Sequence, residues 1–305
     1  MLTSIFSKSK PVNFVIIAVL VVITFVTHTY SKGVLVDFSI LKLIIPPFIV
    51  LFYVFLTDFI ISKNDLTKKH SYGILILGLS IIIFPEIFNN LDKLIANLLA
   101  LFALRRLFSL HTKRSLSKKF FDAVFWISLA SLFYSWVILY LIIVVVALVN
   151  YWQSEIKYVV VSIFGALTVF VLLLVFNIVY NDSYILKTNF NFDFSFDISN
   201  YNNAWDILRL TILSSVFLWS TVYYLKTISS KNRKQKPIYV LVLVAAIISI
   251  SIGIIAPEKN GSDFIFFIVP FSVIVANYLE MIKEKWFKEV FLFLLLLIPV
   301  SRLFL

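Results

Sequence analysis

Residues 158–180 read YVVVSIFGALTVFVLLLVFNIVY, a run of 23 positions without a charged side chain. A helix of about 20 apolar residues is long enough to cross the hydrocarbon core of a bilayer, which is roughly 30 Å thick. Apolar runs of this length are not typical of soluble domains. The stretch predicts a transmembrane helix, and similar stretches recur along the whole chain.

The composition is that of a polytopic membrane protein. Of the 305 residues, 61% are hydrophobic and 14% are charged, whereas soluble domains have about 45–50% apolar and about 25% charged residues. We predict an all-α fold, a polytopic transmembrane helical bundle in which residues 1–305 form a single integral membrane domain. Eleven spans, including short paired helices, are placed near residues 12–30, 43–61, 72–88, 90–104, 120–134, 136–150, 158–180, 207–225, 238–256, 264–281 and 289–305.

The distribution of Lys and Arg orients these spans, because basic residues are retained on the cytoplasmic side. With eleven spans and a cytoplasmic amino terminus, 20 of the 27 basic residues are inside. A single helix over residues 120–150 would reduce that number to 15. A ten-span alternative omits span 90–104 and places the amino terminus outside. It keeps 18 basic residues on the cytoplasmic side, so the charge distribution alone does not exclude it. We expect eleven spans, with the carboxyl terminus outside.

Several functions are excluded by composition. The chain has no cysteine, which removes disulfides, thiolate metal sites and a cysteine nucleophile, and its three histidines lack the spacing of a metal or haem site. The net charge of +11 follows from the cytoplasmic loops, so we expect no nucleic-acid partner. The sequence identifies no cofactor, and a divalent cation held by carboxylates is the candidate that we retain.

Residues 105–119 carry six Lys or Arg and no acidic residue. We predict an interfacial cytoplasmic helix or loop. Two interpretations stay open for it. The segment determines topology and contacts anionic lipid, as juxtamembrane basic segments commonly do, or it binds phosphate specifically.

Residues 181–206 form the largest predicted outer loop, in which aromatic and polar side chains alternate. In an extended strand this alternation places the aromatic residues on one face and the small polar groups on the other. The residues concerned are Phe190, Phe192, Phe194, Phe196, Asp193 and Asp197. The segment either rests at the membrane interface, or it forms a lid over an outward-facing crevice, with both acids toward a polar ligand.

Two carboxylates at the outer membrane edge are candidate catalytic groups. Asp37 would act as a general base toward an acceptor hydroxyl or as a metal ligand, with Glu86 as its partner. Lys42, Lys93 and Arg209 lie on the same side and would neutralise a lipid phosphate. The structural alternative is a solvated helix cap for Asp37 and an ion pair with a lysine for Glu86.

Three stretches carry a resemblance to a known family. They are residues 6–14 (FSKSKPVNF), 97–110 (NLLALFALRRLFSL) and 121–134 (FDAVFWISLASLFY). Together they resemble an uncharacterised family of multi-pass inner-membrane proteins from Bacteroidota. The resemblance implies a location in the bacterial inner membrane and transfers no catalytic residue.

The short paired helices, the outer acids and residues 263–270 (DFIFFIVP) are also similar to polytopic glycosyltransferases that use polyprenyl-phosphate-linked sugars. Those enzymes usually have a long, acidic first outer loop and often a basic residue before the late proline, where this chain has Asp263. The resemblance implies a lipid-linked-sugar transferase-like envelope protein whose substrate is a polyprenyl-phosphate-linked sugar.

Two other functions are retained. The first is a non-catalytic membrane subunit or assembly factor of a cell-envelope complex, with membrane lipids and other envelope membrane proteins as partners. The second is a transporter, which is disfavoured because the middles of the spans carry few ionisable residues.

Overall fold

The computed structural model describes residues 2–32, 40–150, 156–181 and 192–301. Within these ranges the chain forms helices, turns and irregular segments and has no strand, which confirms the all-α class. The α-helices described there are α1 (Leu2–Phe6), α2 (Pro11–Ser31), α3 (Ile40–Lys63), α4 (Tyr72–Ile83), α5 (Leu91–Phe108), α6 (Leu116–Ser131), α7 (Leu141–Asn150), α8 (Lys157–Asn181), α9 (Ala204–Ser230), α10 (Lys236–Ile255), α11 (Ile265–Met281) and α12 (Lys285–Ser301).

Seven described helical stretches are long and apolar enough to cross a membrane. They are Pro11–Ser31, Leu43–Lys63, Leu91–Thr112, Lys157–Tyr180, Ala204–Ser230, Lys236–Ile255 and Ser262–Met281. Two further apolar helical stretches, Tyr72–Ile83 and Ser135–Asn150, are shorter. The chain is therefore a multi-pass helical membrane protein, whereas the full count of eleven spans stays a prediction.

Helix α5 forms despite its polar beginning. The side chain of Asn90 accepts a hydrogen bond from the backbone N–H of Lys93 at 3.1 Å, which caps the amino terminus of the helix. The helical stretch continues to Thr112 and has the length and hydropathy of a span. This length favours the arrangement that keeps span 90–104 over the ten-span alternative that omits it.

Residues 116–150 form two helices rather than one. Helix α6 ends at Ser131, and Tyr134 adopts an extended backbone conformation with φ −145° and ψ 105°. A 3₁₀ turn over Ser135–Tyr140 then leads into α7. The break lies where the charge distribution had favoured two short segments.

Helices α4 and α11 form the centre of the bundle. All but one of the 12 residues of α4 are buried, and 83% of the apolar window of α11 is buried. Twelve residues extend about 18 Å at 1.5 Å per residue, much less than the hydrocarbon thickness of roughly 30 Å. Helices α2, α3, α11 and α12 pack against α4. Other helices therefore surround α4, as expected for a helix too short to cross the hydrocarbon core by itself.

Helix α8 lies at the periphery, with only 17% of its apolar window buried. It packs mainly against α6. At their crossing, a Cβ on Gly165 would lie 2.7 Å from the carbonyl oxygen of Phe121. Only glycine allows the two backbones to approach this closely, as small residues do at helix interfaces in membranes.

Within the described part of the chain, the loops predicted to be outside lie at one end of the bundle, and the loops predicted to be cytoplasmic lie at the other. At one end, Nε2 of His28, which lies in the last turn of α2, is 2.9 Å from Asn89 Oδ1. At the opposite end, His70 Nε2 lies 2.7 Å from Glu280 Oε1. We call the first the cap end and the second the basal end. From α2 onward, successive helices run in alternating directions between the two ends, as predicted. The side of the membrane that each end faces stays a prediction.

Candidate functional site

Arg209 is the centre of a buried ion-pair cluster at the cap end. Its side chain is 2% exposed, and Nη1 donates to Glu86 Oε2 at 3.0 Å and to the carbonyl of Ile83 at 3.1 Å. Its Nη2 forms an ion pair with Asp206 Oδ1. The guanidinium also lies 4.9 Å from the ring centroid of Phe84. The ring of Trp205 lies 5.8 Å away, so one cation faces two carboxylates and two aromatic rings.

Local sequence explains how these groups meet. Asn203 caps α9 by accepting a hydrogen bond from the N–H of Asp206 at 2.8 Å. Asp206 lies in the first turn, where the helix dipole favours an acid, and it precedes Arg209 by three residues on the same face. Pro85 opens the 3₁₀ turn after α4 and places Glu86 against Arg209.

A second cluster surrounds Lys93, which is 3% exposed. Its Nζ donates to Asp263 Oδ2 and to Ser262 Oγ, both at 2.9 Å. The hydroxyl of Tyr134 donates to Asp263 Oδ1 at 2.6 Å. The carboxylate of Glu258, 60% exposed, lies 3.7 Å from the same Nζ. A cation in the first turn of a helix is opposed by the helix dipole, and Asp263 compensates for it.

The turn before α11 connects the two clusters. Gly261 has φ +83°, and a Cβ there would lie 3.3 Å from both Arg209 Nη2 and Glu86 Oε2. The next two residues contact Lys93, so one turn closes over both cations. The N–H of Gly261 donates to the hydroxyl of Tyr201 at 3.2 Å. Burial raises the pKa of Tyr201 to about 12, which keeps this hydroxyl protonated.

Residues 192–198, the aromatic segment, lie across the cap end without regular secondary structure. The N–H of Ser195 donates to the carbonyl of Ile255 at 3.1 Å, which attaches the segment to the end of α10. The rings of Phe194 and Phe196 are 5.9 Å apart. Each is 66% exposed. The two phenylalanine rings are thus neighbours at the surface, whereas the separation of aromatic and polar side chains onto two faces stays a prediction.

The two acids of this segment are exposed, and the carboxylate of Asp197 stabilises the local backbone conformation. The indole N–H of Trp136 donates to the carbonyl of Asp193 at 3.2 Å, and the ring of Phe192 packs edge-on against the same indole. Asp197 Oδ1 accepts a hydrogen bond from the N–H of Ser199 at 2.9 Å. This hydrogen bond lowers the pKa of Asp197.

The structure brings part of the predicted site together. Three of the predicted residues lie, wholly or in their side chains, outside the described part of the chain: Asp37, Lys42 and Phe190. Glu86 and Arg209 form one ion pair, so the structural alternative for Glu86 is realised with an arginine instead of a lysine. Lys93 lies in the neighbouring cluster and contacts neither of them directly. Among the described residues, no three histidine or carboxylate side chains converge as metal ligands.

Several residues of the clusters had no predicted role, among them Asp206, Gly261 and Asp263. Two local signals were present. Asn203 followed three residues later by Asp206 is typical of a capped helix start, and Asn260-Gly261 is a strong turn dipeptide. Neither signal indicates which distant cation each acid will meet.

A sequence model described as "Family of unknown function (DUF6427)" matches residues 1–302. The chain therefore belongs to this family, which confirms the expectation of an uncharacterised family. No curated protein and no solved structure matches the chain. The origin in Bacteroidota and the likeness to glycosyltransferases stay predictions.

Proposed function

We propose that this member of a family of unknown function is a non-catalytic subunit of a cell-envelope complex in the bacterial inner membrane. In this role the cap end holds a partner protein. The observation that carries the proposal is that two of the three cations expected to bind a lipid phosphate are occupied. Lys93 and Arg209 are buried, and each already contacts carboxylates of the same chain.

The energetics disfavour a phosphate-binding role for these cations. Removing one partner of a buried ion pair typically costs about 3–5 kcal/mol, because the remaining charge is left uncompensated. A phosphate that displaced Glu86 and Asp206 from Arg209 would leave two carboxylates without their cation. A closed cluster of this kind suits a rigid support better than a substrate site.

The aromatic segment supplies the surface for the partner. Phe194 and Phe196 are exposed side by side on a segment whose backbone is attached to α10. Aromatic side chains are enriched at protein interfaces and often dominate their binding energy. Because the backbone is already anchored, binding would order few additional groups.

Co-purification from mild detergent tests the proposal. The variant Phe194→Ser/Phe196→Ser should insert normally, lose the co-purifying envelope protein and fail to complement a deletion strain. Trp286→Ser, which removes an exposed aromatic ring at the basal end, is the matched control and should retain both. Full complementation and an unchanged set of co-purifying proteins in the phenylalanine variant would overturn the proposal.

The same assay separates this role from a lipid-linked-sugar transferase. Asp37→Asn preserves the size of the side chain but removes its charge and basicity. Loss of a general base typically costs roughly 10²–10⁴-fold in rate. We expect normally inserted Asp37→Asn to complement the deletion strain, and its failure would favour the transferase.

A further inference from the structure

A basic cavity of about 670 Å³ lies at the basal end, far from the cap clusters. It is formed where the end of α5, the turn that follows and the start of α6 meet α3 and α8. The cations in its lining are Lys63, Arg106, Arg114, Lys118 and Lys119, and the carboxylate is Asp122. Five positive charges therefore face one negative charge.

Two of the five cations are held in place by protein groups. Arg106 Nε lies 2.8 Å from Asp122 Oδ2, which uses the carboxylate of the cavity. Lys119 Nζ donates to the carbonyl of Ser109 at 2.5 Å and to Thr112 Oγ1 at 2.7 Å. Burial and the neighbouring Arg106 lower the pKa of Lys119, as expected for a cation without a carboxylate of its own.

The other three cations, Lys63, Arg114 and Lys118, form no ion pair within the described part of the chain. They come from α3, from the turn before α6 and from its first turn, so folding gathers them from two regions of sequence. Like charges repel at such proximity. A cavity that concentrates unpaired cations is a site for an anion.

The amino terminus of α6 opens into the same cavity. Ser115, at the cap position, adopts the left-handed conformation with φ 49°, and its side chain makes no capping hydrogen bond. The first turn contains no acidic residue. The free N–H groups of a helix start and the positive end of its dipole both favour an anion such as phosphate.

We propose that the basic cavity binds a phosphate group, with Arg114 and Lys118 as its principal ligands. Arginine presents paired N–H donors that match phosphate oxygens, and lysine adds a point charge. The phosphate belongs to a membrane lipid headgroup or to a soluble phosphate compound. The site extends beyond the proposed partner-holding function, because it lies at the opposite end of the bundle.

The surroundings of the cavity favour the lipid. Val161 of α8 lines it, and α8 is the candidate span with the smallest buried share. Phe164, one turn further along, is exposed on the same helix. An acyl chain can therefore lie along α8 while its headgroup phosphate occupies the cavity.

Binding to the full-length protein in neutral detergent tests the proposal. The probes are short-chain phosphatidic acid and, separately, inorganic phosphate, each measured by the rise in the thermal unfolding midpoint with concentration. Arg114→Gln/Lys118→Gln should weaken binding about tenfold or more, since charge-assisted hydrogen bonds are lost. Arg233→Gln/Lys234→Gln removes two exposed cations outside the cavity and is the matched control, with less than about twofold effect.

The two probes distinguish the sources of the phosphate. Binding of phosphatidic acid alone, lost in the cavity variant, identifies a lipid headgroup site; equal loss for both probes identifies a site for soluble phosphate compounds. Lys63→Gln changes a cavity residue on a different helix and should also weaken binding. It tests the proposal independently if the double variant does not fold. Equal weakening in the cavity and control variants, or no saturable binding of either probe, would overturn the proposal.

Discussion

Asp263→Asn isolates the contribution of a buried charge to the cap end. Asp263 is 2% exposed and accepts from Lys93 Nζ at 2.9 Å and from the hydroxyl of Tyr134 at 2.6 Å. The amide keeps an oxygen for Tyr134 but turns an NH₂ group, or at best a neutral oxygen, toward the ammonium. Lys93 then remains charged and buried, with Ser262 Oγ as its close partner.

The magnitude follows from this geometry. Loss of one partner of a buried pair costs about 3–5 kcal/mol. Glu258, 3.7 Å from Lys93 Nζ but 60% exposed, offsets at most about 1 kcal/mol, which is the range of a solvated ion pair. We therefore expect a loss of about 3 kcal/mol, or on the order of 10 °C at roughly 2–4 °C per kcal/mol.

Intrinsic fluorescence of the six tryptophans during heating in mild detergent measures the unfolding midpoint. Glu258→Gln removes the other carboxylate near the same ammonium and is the matched control, with an expected fall of no more than about 4 °C. Lys93→Met/Asp263→Asn should recover at least about half of the loss, because no uncompensated charge remains. The reasoning fails if Asp263→Asn lowers the midpoint no further than Glu258→Gln, or if the double variant recovers nothing.

Two further predictions concern the turn and the topology. Gly261→Ala should lower the free energy of unfolding by about 1–2 kcal/mol, since a residue with a Cβ is strained at φ +83°. Gly253→Ala is the control, because a Cβ there meets open space, and it should be neutral or stabilising. Equal thermal midpoints for the two variants would contradict this prediction. The chain has no cysteine, so a cysteine introduced at Asn260 should react with an impermeant reagent added outside intact cells, whereas cysteines at Ser115 and Ser230 should not. The reverse labelling pattern would invert the predicted orientation.

The helices were predictable because long apolar stretches and charged loops are local signals. The break between α6 and α7 illustrates this, since the charges outside residues 120–150 favoured two short helices there over a single one, and two helices form. The capped start of α5 at Asn90 shows the converse. Its polar residues weakened the prediction of a span, although Asn90 is a favoured helix cap and Lys93 finds its partner elsewhere.

The partners of the buried cations could not be predicted, because each pair joins distant parts of the chain. Glu86 and Arg209 are separated by 123 positions, and Lys93 and Asp263 by 170. Each of the four residues lies within a few positions of the outer end of a predicted span, where a charge is equally compatible with catalysis, a solvated helix end or an ion pair. Only the packing of α4, α5, α9 and α11 selects among these roles.

The ion pairs also bear on how the bundle chooses one arrangement. Lipid tails are as apolar as leucine, so hydrophobic burial alone does little to specify which helices pair within a membrane. Buried polar contacts discriminate more strongly, because an alternative packing would leave a charge without its partner. At the cap end, Arg209 joins α9 to the end of α4, and Lys93 joins α5 to the start of α11. We infer that these contacts select the positions of the helices around the short central helix α4.

The same pairs determine how much free positive charge the cap end carries. Three of the bases assigned to the outer side are Lys93, Arg209 and Lys259. The first two face carboxylates, and Lys259 Nζ donates to the carbonyls of Gly253 and Ile254 at the end of α10. Lys93 and Arg209, which are paired with carboxylates, therefore present little free charge at the cap end, whereas the basic cavity keeps unpaired cations at the basal end. Because topology follows the number of Lys and Arg residues near each end and not their pairing, the cytoplasmic basal end stays a prediction from the count of 20 of 27 basic residues, and the pairing at the cap end bears on stability instead.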